Sequence, residues 1–436
     1  MEEATFAVAS QQEGFEGTGY AGLGKLSALT TPSESINKLA HELLSHHEHK
    51  TTHMAPENMP LDAAAVYANE ERHKAELALF KRIPLVVGLT AELREPGSFK
   101  TMDMVGVPLL ITRDKAGALH TFLNACTHRG SPLTDKPCGK AARFTCPYHA
   151  WTFANDGRLL AVHTQDQFGQ FDKSTRNLVE LPCTERAGLI FAMLTPGLEL
   201  DVDAFYEGML SEIERYGYAD WHYLGSMEAK AANWKFGVEG FLETYHVPVL
   251  HRATLSQIAS GGRPPAQAFE SFGPHLRYLS ATGEPIEDLR TLDPQDYWTR
   301  EPHNFRAIHL LFPNVALPTG FDVIQLMIMV PGANPGEHTT LFWHITPEAP
   351  KSEEEAAQLE ANRQAMVKII VDEDYYINAL VQKVSDAKTS FPLLLGRNEI
   401  GLQHFHQSLN WYLNGDERAE RPKIGPSTHE GPSTVA

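Results

Sequence analysis

Cys126-Thr-His128, seventeen further residues, and then Cys146-Pro-Tyr-His149 constrain this chain more than any other stretch. They set out two thiolates and two imidazoles as two short pairs, each mixing one sulfur with one nitrogen. Four Cys would keep both irons of a [2Fe-2S] centre on sulfur. Two His in place of two Cys on one iron raise the reduction potential, because neutral imidazole donates less negative charge and the reduced form gains stability. Such a centre passes one electron at a time. A chain with nothing else would be a carrier, so the next question is where the electron goes.

Structural zinc is the competing occupant, since it also takes tetrahedral N/S sites. Zinc fingers pair like with like, C-x2-C and then H-x3-H, and mixed pairs are unusual for them. The flanks favour iron–sulfur. Arg129-Gly130 follows the first pair, Pro147 and Tyr148 lie inside the second, and Trp151 and Phe153 add bulk just after it. In these residues the sequence resembles the Rieske domain of Rieske non-haem iron oxygenases, whose halves read C-x-H-R-G and C-P-Y-H-G-W. The resemblance implies that Cys126 and Cys146 hold one cluster iron and that His128 and His149 hold the other. Ala150 stands where that family usually has Gly, a small departure expected to leave the ligands unaffected.

Further on the chain reads Asn233-Trp-Lys-Phe-Gly-Val-Glu239-Gly-Phe-Leu-Glu243-Thr-Tyr-His246-Val-Pro248-Val-Leu-His251. Two His five residues apart lie about 140° apart around a regular helix, so a straight helix cannot bring both to one metal. Pro248 removes a backbone donor between them, and the helix is expected to loosen or end there. With a carboxylate from elsewhere the pair would complete a 2-His-1-carboxylate face with open positions for O2 and substrate. The bland alternative is two unrelated His at a helix end. The resemblance decides between them. The oxygenase family carries E/D-x3-D/E-x2-H-x4-H here, and Glu239, Glu243, His246 and His251 fill it, which implies that His246 and His251 hold iron. The family also implies a bridge at Glu243, from His246 to His149 of the partner subunit. Glu243→Gln is expected to leave both iron centres loaded and to slow transfer between them. Gly240 stands where family members often have Asn.

A third ligand is sought in the helix opened by Ser352-Glu-Glu-Glu355, a capping box, and expected to run to about Val384. Asp372 shares a face with Lys368 and reads as a solvated pair. Glu373 has Ile369, Ile370, Ile377 and Leu380 at helical spacing, and Asp374 has Ile370, Val371, Ile377 and Val381. Either acid could point inward from an apolar face, where a buried charge needs a partner such as iron. Spacing leaves the two open. The family's E-D pair at this place, with Asp as the ligand, implies Asp374.

The 436 residues suffice for two or three core-bearing units. A formal net charge of −18 argues against nucleic acid. No apolar run approaches a membrane span, and the start Met-Glu-Glu-Ala lacks the basic, apolar pattern of a signal peptide, so a cytoplasmic location is expected. Cys138 and Cys183 read as packed or spare thiols rather than a disulfide.

Along the chain, 1–60 reads as a tail and a helix capped by Thr31 with Pro32 at its first position, running to about Ser45. His46, His47, His49 and His53 read as a solvated polar run. A helical lead-in over 61–83 precedes a Rieske domain at 84–195 built of short strands, an antiparallel β unit with the ligand pairs at loop tips. A catalytic domain follows over 196–425, with helices near 203–216 and 233–247 and strands at 306–312, 322–330 and 339–346. Residues 426–436 read as a tail. The fold class expected is α+β. His309, His344, His404 and His406 read as structural.

The resemblance implies the catalytic α subunit of a multicomponent oxygenase, carrying a [2Fe-2S] cluster and mononuclear Fe(II). O2 would be the co-substrate, and electrons would come from NAD(P)H through a separate reductase and perhaps a ferredoxin. The chain has no G-x-G-x-x-G fingerprint of its own. The family further implies a homotrimer, or a trimer with a small β subunit, because cluster and mononuclear iron of one chain lie too far apart for fast transfer. The expected reaction is hydroxylation of an aromatic or other apolar ring compound. O- or N-demethylation or quaternary-amine oxidation is the alternative within the family. An electron carrier or a zinc-bound scaffold is the non-enzymatic one.

Overall fold

The computed structural model describes residues 33–255, 264–281, 305–319, 323–415 and 420–427. The tail read over 1–30 and the end of the C-terminal tail lie outside them. The cap of the first helix, Glu34–His49, is Ser33 rather than Thr31, its hydroxyl accepting from the Ile36 amide, and the helix runs one turn past Ser45. The apolar stripe Ile36, Leu39, Ala40, Leu43 and Leu44 packs on Ala268, Leu279 and Ala307, at the helical spacing that buries one face.

The fold is α+β. Short strands with tight turns build the N-terminal unit as three antiparallel sheets. The largest orders Glu180–Leu181, Leu119–Leu123, Val107–Arg113, Ser98–Met104 and Cys138–Lys140. Leu85–Leu89 pairs with Leu189–Ala192 and, beyond it, Cys183–Arg186. The smallest sheet, Arg143–Thr145, Thr152–Ala154 and Leu159–Ala161, projects the second Cys–His loop. Each strand alternates its faces, so the inward residues collect into one core. Phe99, Phe122, Phe144, Trp151, Phe153 and Leu159 form it around the buried Cys126 and Cys146.

The second unit is a seven-stranded antiparallel sheet in the order His222–Ala231, His338–Thr346, Ile324–Pro331, Val315–Thr319, Phe305–Leu311, His275–Ala281 and Gln267–Phe272. Ile324–Pro331 is buried along nearly its whole length, as its near-continuous apolar run predicts for a strand covered on both faces. Four of the seven strands, at 222–231, 267–272, 275–281 and 315–319, are not among those expected; the last is a short buried Val-Ala-Leu-Pro-Thr, and the others mix polar and apolar residues. The helix expected over 203–216 is two pieces, Val202–Tyr206 and Met209–Glu214, because Glu207 and Gly208 adopt left-handed backbone between them. No helix among the described residues is long and apolar enough to cross a membrane.

A charged knot ties the Glu70–Phe80 helix to the segment that carries the second motif. Glu76, fully buried, accepts from Lys235 Nζ at 2.9 and 2.8 Å, from Trp234 Nε1 at 3.0 Å and from Arg72 Nε at 2.9 Å. Burial alone would raise its carboxyl, but the Lys235 and Arg72 cations outweigh that and hold it below the ordinary range. Truncating one partner strands the other charge in the interior. Glu76→Ala is therefore expected to cost about 3–5 kcal/mol, read as a lowered denaturant midpoint.

Candidate metal centres

The two Cys–His loops repeat one backbone design. The Cys126 amide donates to the Ser131 carbonyl at 2.8 Å, and the Gly130 amide donates back to the Cys126 carbonyl at 2.8 Å. In the second loop the Cys146 amide donates to the Trp151 carbonyl at 2.8 Å, and the Ala150 amide to the Cys146 carbonyl at 3.0 Å. Each loop closes on a residue with left-handed backbone, Gly130 at φ 77° and Ala150 at φ 55°. Glycine takes that conformation freely, whereas a side chain costs about 1–2 kcal/mol there. The departure at Ala150 thus bears on the loop's backbone, which its methyl group strains.

The donors of these loops come together in two pairs, sulfur with sulfur and ring with ring. Cys126 and Cys146 are 3% exposed and in mutual hydrogen-bonding contact. The His128 and His149 rings lie 4.6 Å apart. Burial raises the Cys126 thiol. At Cys146 burial also acts upward, but the amides of Tyr148 and His149 outweigh it and bring the thiol down. His128 Nδ1 is buried without a hydrogen-bond partner, and Trp151 stacks on the His128 ring at 5.0 Å. Two sulfurs in contact with amide donors aimed at them, and two paired imidazoles of which one has a buried nitrogen without a partner, fit a [2Fe-2S] cluster with two His ligands.

Asn233 caps the helix Trp234–Glu239, its Oδ1 accepting from the Lys235 amide at 2.9 Å. The helix ends at Gly240, well short of 247. After a bend, a single helical turn, Val247–Leu250, carries Pro248, with His246 just before it and His251 just after. The straight helix that would splay the two His is absent, and their rings lie 5.1 Å apart. His246 Nε2 and His251 Nε2 both face Asp374 Oδ1, at 3.6 and 3.2 Å. These three ligand atoms lie within 4.8 Å of one another.

Each ring turns its other nitrogen to a carboxylate. His246 Nδ1 donates to Glu243 Oε1, and Glu243 Oε2 accepts from the amides of Tyr245 and His246. His251 Nδ1 donates to Glu373 Oε2 at 2.6 Å, which also accepts from Thr254 Oγ1 at 3.0 Å. Those bonds put the protons on Nδ1 and leave both Nε2 lone pairs facing Asp374, the tautomer a metal needs. Burial would lower the His251 imidazole, but Asp374 and Glu373 outweigh it and raise it. The pocket is negative enough to hold a cation, and two neutral imidazoles with one carboxylate fit a non-haem iron.

Asp374 and Glu373 lie where the long helix is not regular. Glu353–Ile369 and Tyr376–Ser385 are α-helical, and Ile370–Tyr375 between them is a π-helical turn. Such turns are rare and collect at functional sites. Asp372 points to solvent and accepts from Lys368, as its spacing predicts. The apolar face expected to point inward does so in part: Ile370 is buried and Val371 and Val381 pack against the cores, whereas Ile377 and Leu380 are 38% and 47% exposed. Glu239 lies away from the triad, accepting from Tyr67 Oη at 3.0 Å with His406 Nε2 at 3.0 Å. His309, His344 and His404 are buried, and burial lowers them to about 3, 3 and 4, so they are neutral. The Glu373 contact with His251 was missed in the sequence, where no spacing connects residues so far apart.

Two family models match: the Rieske [2Fe-2S] domain over residues 84–181, and the ring hydroxylating alpha subunit (catalytic domain) over residues 218–415. The glycine betaine monooxygenase oxygenase subunit of Chromohalobacter salexigens is 32% identical over 41% of this chain and 40% of its own length. The anthranilate 1,2-dioxygenase large subunit of Acinetobacter baylyi is 31% identical over 45% of this chain and 43% of its own length. The chain thus spans less than half the length of these curated relatives. Among solved structures, a quaternary ammonium Rieske monooxygenase superposes with a TM-score of 0.69 at 19% identity, covering 82% of this chain and 96% of the other. At that identity the likeness speaks for the fold alone.

Proposed function

The chain belongs to the Rieske non-haem iron oxygenase α-subunit family, and from that premise we propose that it is the oxygenase component of a multicomponent system that oxidises a small molecule with O2. The observation that carries this reading is the convergence of His246 Nε2, His251 Nε2 and Asp374 Oδ1, with both Nδ1 atoms engaged by carboxylates. Cys126, His128, Cys146 and His149 would hold the cluster, and His246, His251 and Asp374 the mononuclear iron. When bound, the cluster supplies single electrons and the mononuclear iron supplies oxygen activation. The residues of this chain do the positioning. Glu243 and Glu373 keep the protons on Nδ1, and Asp374 supplies the one carboxylate on the open face.

Electrons would enter from NAD(P)H through a separate reductase, with or without a ferredoxin. Glu243 would couple His246 to His149 of the partner subunit in a trimer. Exposed apolar side chains support an assembly: Tyr245 is 61% and Val249 79% exposed in the segment that carries His246 and His251, and Tyr376 and Val384 are 55% and 51% exposed on the helix after Asp374.

The substrate read from the chain is an aromatic or other apolar ring compound, in line with the likeness to anthranilate and benzene dioxygenase subunits. Quaternary-amine oxidation is the second reading, favoured by the likeness to glycine betaine and carnitine monooxygenase subunits. O2 uptake with a surrogate reductase, scored by product mass across a panel of benzoates, aromatic hydrocarbons, betaine and carnitine, separates the two. Ring diols support the first, and dealkylated amines with aldehyde support the second. An iron-loaded protein that consumes no O2 with any of them counts against both.

A further inference from the structure

A second His–His–carboxylate cluster lies outside the machinery described above. Glu42 and His46 stand one turn apart on the Glu34–His49 helix, and His53 follows on the segment after it. His46 and His53 are buried, at 0% and 1% exposure, which overturns their reading as a solvated run. His53 Nδ1 lies 3.1 Å from Glu42 Oε1, and His46 Nε2 lies 3.6 Å from the same oxygen. The corresponding distances to Asp374 Oδ1 in the mononuclear site are 3.2 and 3.6 Å. Zinc bonds of about 2.0–2.1 Å in tetrahedral geometry place neighbouring donors about 3.3–3.4 Å apart. Both clusters bracket that spacing.

The outer contacts select the tautomers. His53 Nε2 sits 3.0 Å from the Gly425 carbonyl, which can only accept, so Nε2 carries a proton. The Phe269 amide also approaches His53 Nδ1, from 3.3 Å, and Glu42 Oε1 lies 3.1 Å from that nitrogen. Either a proton on Nδ1 or a cation between nitrogen and carboxylate would hold that contact. His46 Nδ1 is engaged with Thr51 Oγ1 at 2.9 Å, which turns Nε2 toward the same oxygen. Two protons, one on each imidazole, or a single metal ion at the centre would join the three groups. Partners on the outer nitrogens are the usual support of metal-bound His.

We propose that Glu42 Oε1, His46 Nε2 and His53 Nδ1 form a second divalent-cation site, of the class that takes Zn2+. Imidazole and carboxylate donors suit zinc, and three protein ligands leave a fourth position to water. Glu42, with a quarter of its side chain exposed, gives that position access to solvent. The ion would pin the first helix to the chain around His53. That segment is already bonded to the sheet through the His53 amide and the Gln267 carbonyl at 2.9 Å. It would also hold the 420–427 segment through His53 and Gly425.

The test uses the iron-loaded chain incubated with Zn2+, freed of loose metal by gel filtration and analysed by mass spectrometry. A His246→Ala/His251→Ala variant removes the competing face. About one zinc per chain is expected to remain in that variant, and to be lost when His53→Gln or Glu42→Gln is added. No retained zinc, or zinc that persists in the His53→Gln protein, overturns the proposal. Should the added substitutions prevent folding, anomalous diffraction at the zinc edge from soaked wild-type crystals decides. A peak between the three side chains supports the site, and its absence overturns it.

Discussion

Asp374→Ala is expected to empty the mononuclear site and abolish substrate oxidation while the Rieske cluster stays loaded. Asp374 Oδ1 is the carboxylate oxygen that faces both Nε2 atoms. Without it two neutral imidazoles remain, with no charge on the open face to offset a dication. Glu373→Ala removes the acceptor of His251 Nδ1 instead. A support of that kind costs about 10–100-fold in metal affinity or activity, so the Glu373 variant should bind iron weakly and recover with added Fe(II). The Asp374 variant should not recover. Iron-to-sulfide ratios read this directly: the Asp374 variant keeps the cluster's iron and sulfide and loses the rest. Loss of mononuclear iron from the Glu373 variant alone would reverse the two roles.

Glu243→Gln is expected to lower single-turnover electron transfer by at least about 100-fold, and it acts on two levels. The carboxylate accepts on both oxygens, from His246 Nδ1 on one and from the Tyr245 and His246 amides on the other. A glutamine has one accepting end. Its NH2 must face either the ring nitrogen or two backbone donors. If it faces the ring, His246 shifts its proton to Nε2 and loses its metal-binding lone pair. The geometry therefore revises the expectation that both centres stay fully loaded: iron affinity should also fall, by about 10–100-fold. Stopped-flow reoxidation of the reduced cluster in iron-saturated protein isolates the transfer step. An unchanged rate there would remove Glu243 from the path.

The cluster loops were the most legible part of the chain. Their ligand types and spacing name the metal centre, and Trp151 and Phe153 lie in the core as their bulk suggests. The pairing of His246 with His251 was legible through Pro248, which limits the helix to the one turn Val247–Leu250. Asp374 and Glu373 were not separable. Helical spacing assumes about 100° per residue, and the π-helical turn Ile370–Tyr375 breaks that count at the residues in question. The same assumption misplaced Ile377 and Leu380, which face outward. His46 and His53 were misread because a run of polar residues looks solvated. The Glu42–His46 spacing of four was the signal that could have corrected it, but His53 arrives from beyond the helix and no periodicity reports it. The sheet's outer strands were missed because partial burial leaves them with mixed side chains. His222–Ala231, for instance, alternates Glu228 and Lys230 with alanines.

Iron and acid-labile sulfide analysis of the anaerobically reconstituted chain, with EPR after dithionite reduction, bears most directly on the central claim of a mixed-ligand cluster feeding an oxygen-reactive iron. About three irons and two sulfides per chain are expected, with a Rieske-type signal. A colourless protein without that signal would contradict the account.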